Sequence, residues 1–236
     1  MEHSSGDAGY LVDTVLPPEP EGLEPLHDRE YRVRAYRRDD HSIMIRAALR
    51  DQQPPGLYFD DDQAPIVVHH MVVDLDIEFP TFDITRAEVV FESHPHPGCP
   101  EIAADYSKLV GLSFRRGFPA DLRERLSGPA GCVHVGALLM AVRPAVMQYS
   151  WVMSVSAARR ADAPIVDRVF PPRPIEGWRK NFDTCHVWAR EGALAAAVES
   201  GVDVPVPVPL RRRLGERGVD LGRVDLDWGT DRRAPS

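Results

Sequence analysis

Hydrophobic and polar residues alternate along much of the segment from Tyr31 to Phe91, a pattern typical of half-buried β-strands. A turn-forming Arg38-Asp39-Asp40-His41 separates the first two stretches, which therefore predict a hairpin, and 51–65 is expected to be a loop. The predicted strands are Tyr31–Arg37, Ser42–Leu49, Ile66–Phe79 and Ile84–Phe91.

The third predicted strand has two distinct faces because successive side chains point to opposite sides of a strand. Its apolar face carries His69, Met71, Val73, Leu75 and Ile77. His70 falls on the other face with Asp74 and Asp76. We expect the first face to be buried and the second to contact water.

The chain after residue 100 has mainly helical periodicity. The predicted helices are Glu101–Leu112, Ala120–Leu126, Cys132 to about Tyr149, and Ala193–Glu199, with Pro144 expected to bend the third or to start a new segment. We expect a strand at Phe182–Trp188 and extended chain at Val204–Pro209.

Together these elements predict an α+β fold with an antiparallel β-sheet packed on one side by helices. We divide the chain into a disordered acidic arm (1–28), a single α+β domain (29–200) and an extended, Pro-rich and basic tail (201–236).

Charge and composition narrow the classes of function. The net charge is −8, which argues against a duplex nucleic-acid binder. No secretory signal is visible at the N-terminus, and the longest apolar run, Val135–Val146, is too short to span a bilayer. Three cysteines make an odd, sparse set that favours reduced thiols. We expect a cytoplasmic protein with a small-molecule substrate, no membrane partner, and a homodimer as one option.

Three segments offer metal ligands. His69 lies on the apolar face of a strand, Cys99 follows the partner strand, and Cys132-Val133-His134 opens a helix. Two thiolates and two imidazoles suit zinc or ferrous iron. Cys132 and His134 can converge only if Cys132 sits at or before the helix cap and His134 in the first turn. The alternative is a buried free cysteine with core histidines satisfied by hydrogen bonds.

Other histidines are candidates for proton transfer. His70 lies beside two aspartates, and His96, with His94, flanks Pro95 in the loop before Cys99. We expect His70 and His96 to act as acid or base at an open metal position. Cys185 and His186 are adjacent, so in a strand they would face opposite ways and not activate each other.

The segment from His69 through Gln148 resembles a bacterial family known as domain of unknown function 2889. The matching motifs are His69-His70-Met71, Pro97 with Cys99, Tyr106-Ser107-Lys108-Leu109-Val110-Gly111, Gly117-Phe118 and Gly131-Cys132-Val133-His134. Arg34–Asp40 and Asp183–Trp188 are similar to two further motifs. In that family an acidic residue is usual at position 70 and at the place of Ala137, so a catalytic acid there would imply altered chemistry in this chain.

A second resemblance, of topology alone, is to iron–sulfur scaffold proteins of the NifU type. Cys99 and Cys132 match two of their cysteine positions in order, and His69 would replace a third. The resemblance implies a NifU/SufE-like core with zinc or a nascent cluster at its cysteine-rich corner.

These observations support three hypotheses about function. The first is an enzyme in a specialised biosynthetic or catabolic pathway. It would use one divalent ion, zinc or non-haem iron, held by His69, Cys99, Cys132 and His134, as a Lewis acid for a lyase, hydrolase or cyclase reaction. The second is a scaffold that carries a metal or an iron–sulfur cluster without turnover. The third is an interaction domain with a structural zinc.

Overall fold

The structure, a computed structural model, describes residues 16–17, 20–169, 175–201, 204 and 206–219. The strands are β1 (Asp28–Arg37), β2 (Ser42–Gln53), β3 (Ile66–Glu78) and β4 (Asp83–Ser93). The α-helices are α1 (Phe118–Leu126), α2 (Val133–Arg160), α3 (Ile165–Val169), α4 (Ile175–Arg179), α5 (Ala193–Glu199) and α6 (Val208–Glu216). Short 3₁₀ helices occupy Cys99–Leu109, Gly128–Ala130 and His186–Trp188.

The four strands form one antiparallel sheet in the order β1-β2-β3-β4. Each strand pairs antiparallel with its neighbour in sequence. The antiparallel sheet and the α+β class predicted from the sequence are therefore confirmed.

One face of the sheet is covered and the other contacts water, which is the usual arrangement for an antiparallel sheet. The covered face carries the apolar rows Ile43, Ile45, Ala47 and Leu49 of β2 and Met71, Val73, Leu75 and Ile77 of β3, all of them buried. Helix α2 packs over these rows through Val135, Leu138, Leu139, Val142 and Val146. The predicted buried face of β3 is confirmed.

Three expectations for local structure are wrong. The helix expected to end at about Tyr149 runs as α2 to Arg160, and Pro144 does not start a new segment, because buried Val142 and Val146 pack on both sides of the proline. Phe182–Trp188 is a turn and a 3₁₀ helix, since Phe182 and Trp188 pack with α5 instead of pairing with a strand. Val208 and Pro209 begin α6 within the tail expected to be extended, because proline is tolerated in the first turn of a helix.

Other boundaries were predicted well. The predicted helix Ala193–Glu199 matches α5, and Ala120–Leu126 falls within α1. Most of the arm expected to be disordered, including 1–15, lies outside the described residues. Within the part of the chain that the structure describes, no helix combines the length and the apolar character needed to cross a membrane.

Candidate metal centre

Two polar residues end the apolar rows on the covered face of the sheet. Asp51 continues the row of β2 beyond Leu49, and His69 precedes Met71 in β3. The register pairs Asp51 with His69 on one side and with Arg29 of β1 on the other. Strand pairing alone therefore places an arginine, an aspartate and a histidine side by side at one end of the sheet.

Asp51 is the centre of this group. Its side chain is only 1% exposed, and Arg29 donates to both of its oxygens, from Nε to Oδ1 and from Nη2 to Oδ2, each at 2.6 Å. His69 Nδ1 lies 3.0 Å from Oδ2 and His27 Nε2 lies 3.5 Å from Oδ1. The Arg29 hydrogen bonds and charge lower the pKa of Asp51 to about 2 against the opposing effect of burial. The carboxylate is ionised at neutral pH.

His134 approaches the same carboxylate from the opposite layer. Cys132 is the N-cap of α2 and has an extended backbone, and His134 lies in the first turn of the helix. This is the arrangement in which the side chains of Cys132 and His134 can converge. His134 Nε2 lies 3.9 Å from Asp51 Oδ2, and its ring centroid lies 3.8 Å from that of His69. Burial, and after it the charges of His69 and Arg29, lower the pKa of His134. These effects favour the neutral form of the imidazole.

Two contacts hold the start of α2 over the sheet. The phenol oxygen of Tyr106, which is buried, accepts the backbone N–H of Cys132 at 2.8 Å, and burial raises the pKa of this phenol to about 12. Gly131 lies against α1, where an added Cβ would be 2.0 Å from the carbonyl oxygen of Leu126. Only glycine allows this close approach, which fixes where His134 enters the site.

The donor atoms of Asp51, His69 and His134 all lie within 4.8 Å of one another. At bond lengths of ~2.1 Å, two ligand atoms of one ion lie about 3.0 Å apart at a right angle and about 3.4 Å apart in a tetrahedron. The separations of 3.0 Å and 3.9 Å between Asp51 Oδ2 and the two imidazole nitrogens are close to this range. One ion held by all three residues would require His134 Nε2 to lie closer to Asp51 Oδ2 than 3.9 Å.

The structure brings some of the predicted ligands together. His69 and His134 belong to the group, and Cys132 lies beside it, with Sγ 3.9 Å from His134 Nδ1. Cys99 begins the 3₁₀ helix Cys99–Leu109, is half-buried, and does not belong to the three-residue group found among the described residues. Metal ligation by Cys99 and by Cys132 stays a prediction.

The two predicted acid–base residues lie elsewhere. His70 lines a shallow depression on the uncovered face with Glu30, Arg32, Ala48 and Arg50, on the opposite side of β3 from His69. His96 is exposed in the β4–3₁₀ loop, where its carbonyl accepts a hydrogen bond from His94 Nδ1. Their catalytic roles stay predictions, and the family departures at His70 and at exposed Ala137 concern positions outside the three-residue group.

Sequence reasoning missed Asp51 and Arg29. The predicted second strand ended at Leu49, so Asp51 was assigned to a loop, whereas β2 runs to Gln53. Asp51 continues the two-residue period of Ile43, Ile45, Ala47 and Leu49 on the same face of the strand. This period could have predicted that Asp51 belongs to β2. Arg29 could be found only from the register between β1 and β2.

Comparison with known proteins gives one result. The model of the family described as a protein of unknown function, DUF2889, matches residues 27–148, slightly more than half of the chain. This segment contains every residue of the site, from His27 to His134. No curated protein and no solved structure matches the chain, so the similarity to NifU-type scaffolds stays a prediction. The chain belongs to the DUF2889 family.

Proposed function

We propose that this protein is a metal-dependent enzyme in which Asp51, His69 and His134 hold one divalent ion, zinc or non-haem iron. The ion would serve as a Lewis acid on a small organic substrate, in a reaction of the lyase, hydrolase or cyclase type, in the cytoplasm. The observation that carries the proposal is a buried, ionised carboxylate with two imidazoles whose donor atoms lie within 4.8 Å of one another.

The ligand set favours a catalytic site over a structural one. Structural zinc sites are usually closed by four protein ligands rich in cysteine, whereas catalytic sites combine three protein ligands with an open position. Two histidines and one carboxylate are also the set that binds non-haem ferrous iron with open positions. This donor set is harder than the two cysteines and two histidines expected from the sequence, which counts against the structural-zinc hypothesis.

The electrostatics of Asp51 and His134 suit a bound ion. Metal ligands must be deprotonated, and protonation competes with binding. Arg29 keeps Asp51 ionised because it lowers the pKa of that carboxyl, and burial favours the neutral form of His134. Both effects favour the deprotonated forms of Asp51 and His134 that a cation requires.

Cys132 has a supporting place in this arrangement. His134 presents Nε2 to Asp51 and Nδ1 to the sulfur of Cys132. An imidazole that binds metal through one nitrogen almost always has a hydrogen-bond partner on the other, which fixes the ring orientation. Cys132 would then orient His134 instead of binding the ion directly.

A metal analysis tests the proposal. The full chain is treated with chelator, and Zn²⁺, Co²⁺ or anaerobic Fe²⁺ is titrated in by calorimetry. We expect one ion per chain for the wild type, and a loss of at least about a hundred-fold in affinity for His69→Ala and for His134→Ala, because even outer partners of metal ligands contribute about 10–100-fold. The control is His70→Ala on the other face of β3, which should bind as the wild type does.

Two cysteine variants separate the possible ligand sets. If Asp51, His69 and His134 are the ligands, Cys99→Ser should leave affinity unchanged and Cys132→Ser should reduce it by about 10–100-fold. Loss of binding in both, together with thiolate-to-cobalt charge-transfer absorption in the wild type, would instead support the set with Cys99 and Cys132. No binding of any ion by the folded wild type would refute the proposed function.

A second candidate is favoured by the 3.0 Å contact between His69 Nδ1 and Asp51 Oδ2. A carboxylate that accepts the N–H of a histidine fixes its tautomer and makes the other ring nitrogen a general base. This function would need no metal. The metal titration distinguishes the metal-dependent enzyme from the acid–base site, because a metal-free acid–base site should not bind one ion per chain.

A brown, sulfide-containing preparation would instead favour the hypothesis of a scaffold that carries a metal or an iron–sulfur cluster.

A further inference from the structure

The net charge of the site formed by Asp51, His69 and His134 indicates which class of ligand would bind at the open position. Among the described residues, Asp51 is the one carboxylate in contact with the arginine and histidines of the site. Its charge is offset by that of Arg29, and the histidines are neutral when they bind a metal. A divalent ion would therefore give the site a net charge of about +2.

Helix α2 adds to this positive potential. It is 28 residues long, and its N-terminal turn, which contains His134, points at the site. The positive end of a helix dipole attracts anions, and an acidic side chain in the first turn commonly offsets it. The first turn of α2 contains no acidic residue. A bound ion, Arg29 and the N-terminus of α2 would therefore all make the electrostatic potential at the site more positive.

The polar groups at the site suit a carboxylate. The contact with Asp51 uses Nε and Nη2 of Arg29, so Nη1 takes no part in it, and the Arg29 side chain is 41% exposed. The cluster holds a single arginine and no lysine, whereas phosphate sites commonly combine several basic groups or a glycine-rich backbone cradle.

We propose that the open side of this site binds a small organic acid through its carboxylate, with Arg29 and the ion as the two positive partners. The inference rests on the proposed metal site and names its class of substrate. Arg29 would both hold Asp51 through Nε and Nη2 and attract the incoming anion. A neutral analogue of the same shape should bind much more weakly.

The experiment uses the full chain loaded with one Co²⁺, so that occupancy and anion binding have separate readouts. Cobalt content is measured first, and then benzoate, benzamide or orthophosphate is titrated while the visible cobalt spectrum is recorded. We expect benzoate to change the spectrum and to bind at least about ten-fold tighter than neutral benzamide, because a charged partner is worth about that factor. We also expect benzoate to bind more tightly than orthophosphate, because the cluster offers a single arginine and no backbone cradle for a phosphate.

A matched pair of variants tests the role of Arg29. Arg29→Gln should weaken benzoate binding by about ten-fold or more at equal cobalt occupancy, whereas Arg46→Gln, the same change in an arginine–aspartate pair on the other face, should not. If Arg29→Gln does not retain cobalt, Arg29→Lys is compared, and it should bind benzoate better than benzamide.

The outcomes are separable. Full cobalt occupancy without benzoate binding, or with equal affinity for benzamide, overturns this inference and leaves the metal site standing. Orthophosphate that binds more tightly than benzoate overturns the assignment to carboxylates. Failure of the wild type to bind cobalt refutes the metal site, and this inference falls with it.

Discussion

On each face of the sheet, an arginine and an aspartate form a bidentate ion pair between adjacent strands. On the covered face Arg29 of β1 pairs with Asp51 of β2, and on the uncovered face Arg46 of β2 pairs with Asp74 of β3. In both pairs the partners lie directly opposite each other in the register. The local chemistry is the same, yet Asp51 is 1% exposed and Asp74 is 15% exposed.

The difference between the two pairs comes from what covers them. Asp74 is part of a row of surface ion pairs that includes Arg38 with Asp76. Asp51 lies beneath the start of α2 and also contacts His27, His69 and His134. Strand pairing is sufficient to make an ion pair, whereas the second layer excludes water from Asp51 and adds a histidine from another element.

The largest effect should follow from moving the start of α2 away from Asp51. Gly131→Ala would place a Cβ against the Leu126 carbonyl, so we expect it to lower the free energy of unfolding by about 3 kcal/mol or more. The matched control is Gly136→Ala inside α2, where a Cβ meets nothing and should stabilise by up to about 1 kcal/mol. Urea unfolding of the metal-free proteins measures both. Equal stability of the two variants would contradict the close approach.

The next largest effect compares the two aspartates directly. Asp51→Asn removes the charge that Arg29 and three imidazoles contact, and should destabilise the metal-free protein by about 2–3 kcal/mol, less than a fully buried pair because Arg29 is partly exposed. Asp74→Asn on the uncovered face should cost no more than about 1 kcal/mol. Chemical denaturation at pH 7 measures both, and similar costs would show that the covering layer makes no difference.

A third prediction concerns acid. The Arg29 guanidinium lowers the pKa of Asp51 in the folded protein to about 2, from its ordinary value of 3.8. The stability from this carboxylate is therefore present above pH 4 and is lost as the pH falls through 2, by at most about 2 kcal/mol. Unfolding of metal-free protein at several pH values tests this. In Asp51→Asn the free energy of unfolding should lack this dependence on pH, whereas in Asp74→Asn the dependence should remain.

The smallest effect is expected at Tyr106, which holds the backbone of Cys132. Tyr106→Phe removes one hydrogen bond from a buried N–H and should cost about 1–2 kcal/mol. Because the same contact positions His134, affinity for the metal should also fall by about ten-fold. Tyr149→Phe, which removes a hydroxyl contact to Val33 away from the site, is the control and should leave metal affinity unchanged. Unchanged affinity in Tyr106→Phe would mean that the phenol has no positioning role.

The fold was more predictable than the site. Periodicity identified all four strands and the covered face of β3, because burial of one face imposes a period of two. It also placed Cys132 at the start of a helix with His134 in its first turn. The end of β2 was placed too early because a charged residue looks like the start of a loop, and so Asp51, the centre of the site, was missed.

The sequence by itself determined the four-stranded sheet, its apolar face, the position of His69 on that face and the opening of α2 with a cysteine and a histidine. These features follow from local patterns of hydrophobicity and capping. Only the tertiary structure decided that Asp51 and Arg29 join the two histidines. Asp51 and His134 are far apart in sequence, and their approach depends on strand register and on the close contact of Gly131 with α1, which no local pattern records.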